Sequence, residues 1–408
     1  MSDNRFALAI DGGRPVRDTP VPPWPYFDDD DAAAVSRVLL SGRVNYWTGT
    51  EGVEFEREFA AAHDISHAIA LANGTVSLEA ALTVLGVGHG DEVIVSPRTF
   101  IATASAAVMR GAMPVMADVD LVSQNVTADT IRVALTDRTR AVIVVHLGGW
   151  PCDMDAILEV TDAAGVPVIE DCAQALGATY KGRPIGTMGV FGSFSFCQDK
   201  IVTTGGEGGM LVTSDSGLWE RAWSLKDHGK SYSKTRGAGP GSGVAFRWVH
   251  DTFGTNWRMT EMQAVLGRRG LAHLPSWVER RRRSARILDE ALAELEAVRV
   301  TLPSGDFGHA YYKYYAFVKP ERLCEGWSRD RIAEAVMAEG VPCFTGTCPE
   351  IYREQAFRDA GLSPAERLPV ARQLGETSLM LLVHPTLGDD DMYDTAEALR
   401  KVMTVATR

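Results

Sequence analysis

Between His67 and Ala173, short apolar runs alternate with stretches in which apolar residues return every three or four positions. The runs HAIALAN (67–73), EVIVSP (92–97), MPVMADVD (113–120), RAVIVVHL (140–147) and VPVIEDCA (166–173) are short and rich in β-branched residues, so they predict strands. The intervening TVSLEAALTVLGV (75–87), FIATASAAVMRG (100–111) and MDAILEVTDAAG (154–165) carry helical spacing. This rhythm predicts an α/β domain on a mostly parallel sheet. Such sheets bind ligands at the carboxyl ends of their strands. The residues to watch are therefore Asn73 to Thr75, Pro97 to Phe100, His146, Asp171 to Gln174, and Gln198 to Lys200.

The flanks organise the rest. Residues 1–29 carry five prolines and read as an extended arm that packs on the main body or on a partner chain. A helix should start in the Asp28 to Asp31 cluster, which offers capping oxygens, and stop at Gly42. Helical spacing resumes over Glu51 to Ala62, after a loop, Arg43 to Thr50, whose aromatics and hydroxyls suit either a pocket wall or a core cover. A strand, GMLVTSD, and a helix ending near His228 lead into a glycine-rich connection, 229–255, with Lys230, Lys234, Arg236 and Arg247. One helix then begins at Met259 and another, arginine-rich, runs from Pro275 to Val298. The remainder mixes strands (VRVT, YYKYYAFV) with helices (Arg329 to Glu339, Asp391 to Val402). The expected division is an arm (1–29), a large α/β domain (30–273) and a smaller α+β domain (274–408).

Composition narrows the function. A net charge of -12 argues against nucleic acid as a partner, and the basic run Arg280 to Arg283 lies in a helical pattern as a solvated face. No apolar run approaches the length of a membrane span. Six cysteines without a CxxC pair suggest reduced thiols in the cytoplasm, and nine histidines without an HExxH pair suggest no metal site.

The candidate chemistry centres on FGSFSFCQDKIVTTGGEGGM (191–210), where Lys200 stands between an apolar strand and a glycine-rich turn. Desolvation there favours the neutral amine that forms a Schiff base. Asp171 ends a buried strand and suits the pyridine nitrogen of pyridoxal phosphate, which also needs a phosphate cup and a ring wall. Gly74 and Thr75 open a helix, where free N–H groups attract phosphate, and Phe100 can stack on the ring. Ser195, five residues before Lys200, joins it only if the chain bends between them. Singly, each has an ordinary reading: a surface lysine, a helix-capping aspartate, a plain turn, a core aromatic. Their shared place at strand ends makes the combined case.

Seven motifs, in order, resemble the DegT/DnrJ/EryC1/StrS aminotransferases: SGR…TG…EFE (41–56), ANGT (72–75), PRTFIAT (97–103), EDCAQALGA (170–178), SFSFCQDK with GEGG (193–209), DHG (227–229) and NWRMTEMQAVLG (256–267). The resemblance implies a fold-type I, pyridoxal-phosphate-dependent enzyme that aminates keto sugars or cyclitols, with glutamate or glutamine as donor. It implies Lys200 as the Schiff-base lysine, Asp171 on the pyridine nitrogen and Gln174 on the ring hydroxyl. Gly74, Thr75 and Ser195 would hold the phosphate, Phe100 would face the ring, and Asn256 would reach the neighbouring subunit's cofactor in a homodimer. Trp47, Thr48, His228, Arg247 and His309 are the substrate-side candidates. A related dehydratase branch carries histidine where this chain has Lys200.

Three departures fall on the substrate side: a longer glycine turn after Lys200, Tyr312 where relatives often have histidine, and Gly148 where an aromatic is common. The basic loop 229–255 suits the diphosphate of a nucleotide sugar, which is the favoured acceptor. The opening ALAIDGGRPVRDTPVPPWP resembles the arm of cyclitol aminotransferases and aminohydroxybenzoate synthases, which keeps a cyclitol as the alternative. A non-enzymatic binding or regulatory role is the reading from a different class.

Overall fold

The computed structural model describes residues 7–236 and 248–407. Its centre is a seven-stranded sheet: β1 (His67–Leu71), β2 (Glu92–Val95), β3 (Met113–Met116), β4 (Thr139–Val145), β5 (Val168–Asp171), β6 (Phe191–Ser195) and β7 (Gly209–Thr213). The spatial order is β1-β7-β6-β5-β4-β2-β3, and only β7 runs antiparallel to its neighbours. Alternate strand residues face opposite layers. Ile69, Leu71, Val93, Val95 and Ile143 pack on helices Gly74–Val84, Ala102–Met109 and Ser216–Lys226, through residues such as Leu78, Ala104 and Ala222. Ile94, Val142 and Val144 pack instead on Met154–Ala163, while Met210 and Val212 meet Phe55 and Phe59 of Glu51–Ala62.

The first helix, Asp29–Ser41, is bounded as its sequence dictates. Asp28 and Asp31 form a reciprocal capping box, and Gly42 closes the other end at φ 70°. The helix break expected before Pro275 is absent. Glu261–Ala293 is one helix with Pro275 inside it, because residues on both sides of the proline are buried: Ala264, Gly267 and Gly270 before, Leu274, Val278 and Ala285 around and after. Burial of that whole face outweighs the lost backbone bond. This helix joins the large sheet to a second, antiparallel sheet of order Val298–Val300, Tyr314–Val318, Ser378–Leu381, Cys343–Phe344, backed by helices Arg329–Ala338 and Asp389–Ala406.

The arm packs on its own chain. Glu339 accepts the N–H groups of Ala9 and Val16, and Arg17 pairs with Asp391 at 2.5 Å and Asp394 at 3.1 Å. Farther along, Thr386 donates to Pro23 O, and the Trp24 indole donates to Lys200 O at 3.0 Å. The arm thereby ties the elements around the antiparallel sheet to the strand-end region of the seven-stranded one.

Candidate active site

Leu71, Gly209 and Ser195 sit side by side across β1, β7 and β6. That row brings the turn after β1 onto the end of β6. A Cβ on Gly209 would lie 2.4 Å from Asn73 O, and one on Gly74 would lie 2.7 Å from Ser195 Cβ. Glycine is therefore required at both positions for this approach. Asn73 caps the helix by accepting Val76 N–H at 3.0 Å, which leaves the first-turn N–H groups of Gly74 and Thr75 directed out of the helix end beside Ser195. After Ser195 the chain leaves the sheet. Cys197 bridges to Gly206, and Lys200 N–H bonds Cys197 O at 3.1 Å, which is the bend that the five-residue spacing demands.

One cavity of about 1010 Å³ opens at these strand ends. Gly74, Thr75, Phe100, Asp171, Gln174, Ser195 and Lys200 all line it. Asp171 is 5% exposed; the Thr103 hydroxyl donates to it at 2.8 Å and Ala173 N–H at 3.1 Å. Burial pushes its carboxyl above the usual range, against the pull of the Thr103 hydroxyl, the Ala173 amide and the Lys200 charge. Behind it, Glu170 is wholly buried and accepts from Gly186, Met188 and Gly189 N–H and from His146 Nε2 at 3.0 Å. Cys172 completes a cluster with His146 and Glu170. Both His146 nitrogens are committed, since Nδ1 accepts Cys152 N–H at 2.9 Å, so this cluster holds the strand end in place and offers no imidazole lone pair to a metal. Gln174 Oε1 takes Gly148 N–H at 2.9 Å.

The other side of the cavity comes from residues that were not among the site candidates: Trp24 of the arm, Asp199 of the SFSFCQDK motif, and Tyr312, Lys313 and Tyr315. Lys200 Nζ donates to Tyr312 Oη at 3.4 Å, and the Tyr312 hydroxyl donates to Asp199. Tyr315 explains the glycine at 148. That residue has φ 63°, and a Cβ there would stand 3.0 Å from the Tyr315 ring, which fills the space an aromatic at 148 would need. The available signal was the aromatic run 311–315 around a single lysine.

The substrate-side candidates among the described residues do not line this chain's cavity. His309 is 8% exposed, stacks on Tyr311 at 3.8 Å, and its Nδ1 accepts Tyr311 N–H; burial pulls its pKa down to about 3. It shapes the turn that presents Tyr312. Trp47, Thr48, His228 and Asn256 lie on the outside, joined through buried Asp227, which accepts the Trp47 indole at 2.8 Å and bridges Asn256. Lys226, fully buried, pairs with Glu56 at 3.1 Å under the Tyr46 ring and anchors the same loop. Arg247 lies outside the described residues.

An α/β sheet with a lysine and a buried acid at its strand ends fits an aminotransferase, and the chain belongs to the DegT/DnrJ/EryC1/StrS aminotransferase family, whose sequence model matches residues 25–400. It is 36% identical over 417 residues to L-glutamine:2-deoxy-scyllo-inosose aminotransferase of Streptomyces kanamyceticus, covering 97% of this chain and 96% of that protein. It is likewise 36% identical over 372 residues to dTDP-3-amino-3,4,6-trideoxy-alpha-D-glucose transaminase of Streptomyces venezuelae, covering 90% and 91%. Among solved structures, the aminotransferase from Psychrobacter cryohalolentis superposes with a TM-score of 0.92 at 52% identity, over 94% of this chain and 99% of that one. The family, with structural neighbours in PLP and PMP forms, implies pyridoxal phosphate. The residues present fit it: a buried acid lines the cavity, where a cationic ring nitrogen would suit it, and the side-chain-free Gly74 lets a helix terminus with unbonded first-turn N–H groups lie against Ser195 at the cavity wall.

Proposed function

We propose that this aminotransferase works with pyridoxal phosphate held on Lys200, takes its amino group from glutamate or glutamine, and delivers it to a keto sugar carried on a nucleotide. One observation carries the reading: Lys200, Asp171 and the Gly74–Thr75 turn line the same cavity. When bound, the cofactor supplies an aldehyde that exchanges amines and a ring that draws electrons from the carbon bearing the amine. Asp171, beside the ring nitrogen, keeps it protonated. Gly74, Thr75 and Ser195 hold the phosphate, Phe100 covers one ring face, and Gln174 meets the ring hydroxyl. With the cofactor bound, Lys200 would both hold it and serve as the base that takes the proton from the donor's α-carbon and returns one to the product carbon.

A homodimer belongs to the same reading. Asn256 is exposed beside the Trp47 and His228 surface, so a second copy docking there would receive it at the cofactor phosphate. No described helix is long and apolar enough to cross a membrane; a cytoplasmic site of action is our inference from the free cysteines.

A cyclitol ketone is the second acceptor reading. Val21 to Trp24 of the arm line the cavity, and the scyllo-inosose relative aligns over 97% of this chain against 90% for the dTDP-sugar relative. The loaded enzyme, given glutamine and tested on nucleotide-linked keto sugars beside scyllo-inosose, is expected to yield an aminated nucleotide sugar by mass. Amination of scyllo-inosose alone selects the second reading, and no aminated product from either overturns both.

A further inference from the structure

Two lysine amines line the cavity among the described residues, Lys200 and Lys313. The third basic side chain there, His384, is held neutral: burial first, then Arg281 and Lys313, pull its pKa down to about 4. Lys200 is committed to the cofactor. Lys313 has a weakly held partner. Its Nζ stands 3.7 Å from Asp199, whose carboxylate already receives the Tyr312 hydroxyl and whose side chain is 53% exposed. The Lys313 side chain itself is only 18% exposed, so its charge is partly desolvated, and its ion pair is with a carboxylate that it shares with the Tyr312 hydroxyl.

The placing of the two amines is equally specific. Lys200 Nζ lies 4.8 Å and Lys313 Nζ 4.7 Å from the centroid of the same Tyr312 ring. Arg281, 1% exposed with its Nε and Nη2 unpartnered, lies behind them and adds positive potential. Phosphate is provided for elsewhere, at the helix end by Gly74 and Ser195. An amino acid carries its carboxylate on the same carbon as its amine. A donor whose nitrogen replaces Lys200 therefore presents a carboxylate to whatever cation stands near that amine.

We propose that Lys313 is the subsite for the α-carboxylate of the amino donor, with both amines set against the Tyr312 ring. This rests on the donor being an α-amino acid, as stated above. Donor specificity then comes from one charge-assisted contact, and the acceptor binds without it.

The test follows the two half-reactions of the loaded enzyme separately by the absorbance of its cofactor. Lys313→Met is expected to raise the half-saturating glutamine concentration by about 10- to 100-fold, the range for a lost hydrogen bond to a charged group. It should leave reaction with glutaminamide, which lacks the carboxylate, unchanged, and Lys313→Arg should restore part of the loss. Titration calorimetry of the loaded protein with glutarate, which carries carboxylates and no amine, gives a readout apart from turnover: binding by the parent and none by Lys313→Met. An unchanged preference for glutamine over glutaminamide in Lys313→Met overturns the subsite while leaving the aminotransferase reading intact. So does a defect confined to the acceptor half, which would assign Lys313 to an acceptor phosphate. A parent enzyme that reacts with no amino acid overturns the donor reading and the subsite together.

Discussion

His63 shows how one buried ring reports on solvent. It is 4% exposed, stacks on Phe59 at 4.1 Å, and its Nδ1–H donates to Phe59 O at 2.9 Å. Burial pulls its pKa from an ordinary value near 6.5 to about 4. A depressed folded pKa contributes stability that is present above pH 6.5 and is lost as pH falls through about 4. The expected loss from this residue between pH 7 and pH 4 is about 3 kcal/mol. Urea unfolding of His63→Leu at both pH values should show a smaller acid loss than the parent by that amount. A parallel pH profile would contradict it. The same scale explains which single residues were legible. Lys200 and Asp171 stood out because charge at the end of an apolar strand is costly without a purpose, whereas Thr103 and Asp199 looked like ordinary polar residues until their partners came into view.

Two helices meet through a single side chain. Glu261, first residue of the long helix, accepts Glu51 N–H at 2.5 Å and Gly52 N–H at 3.1 Å, so it caps Glu51–Ala62 from a distant part of the sequence. A carboxylate there satisfies two first-turn donors and complements the helix dipole. Glu261→Ala should lower stability by roughly 1–3 kcal/mol, as expected when buried donors lose their acceptor. Denaturant unfolding with a shifted midpoint and an unchanged slope would bear this out, and an unchanged midpoint would refute it. Local helix ends were readable where their caps are local, as at Asp28 and Gly42. The continuity through Pro275 was not, because it depends on Phe55 and Val202, which pack against Gly267 and Gly270 from other elements.

Across the whole molecule, the cavity draws on widely separated stretches: the arm, the turns after β1, β2 and β5, the bend after β6, the Tyr312 to Tyr315 segment, and residues from 344–347 and 380–384. Strand-end positions could be read from the apolar rhythm, since a parallel sheet sends all its carboxyl ends to one edge. The arm and the Tyr312 to Tyr315 wall could not. Trp24 reaches Lys200 O, and Tyr312 reaches Lys200 Nζ, only because distant stretches of the chain pack together, which no local pattern encodes. The trio Trp47, His228 and Asn256 shares one outer surface for the same reason: Asp227 gathers it there, away from its own chain's cavity.

These scales converge on Lys200, which we propose as the covalent anchor of the cofactor, held between the arm and the Tyr312 segment. Borohydride reduction of the pyridoxal-phosphate-loaded protein, followed by digestion and mass mapping, tests this directly. The cofactor mass should reside on Lys200 alone, and a folded Lys200→Ala protein should carry none. Label on any other lysine, or equal label in Lys200→Ala, would contradict the assignment.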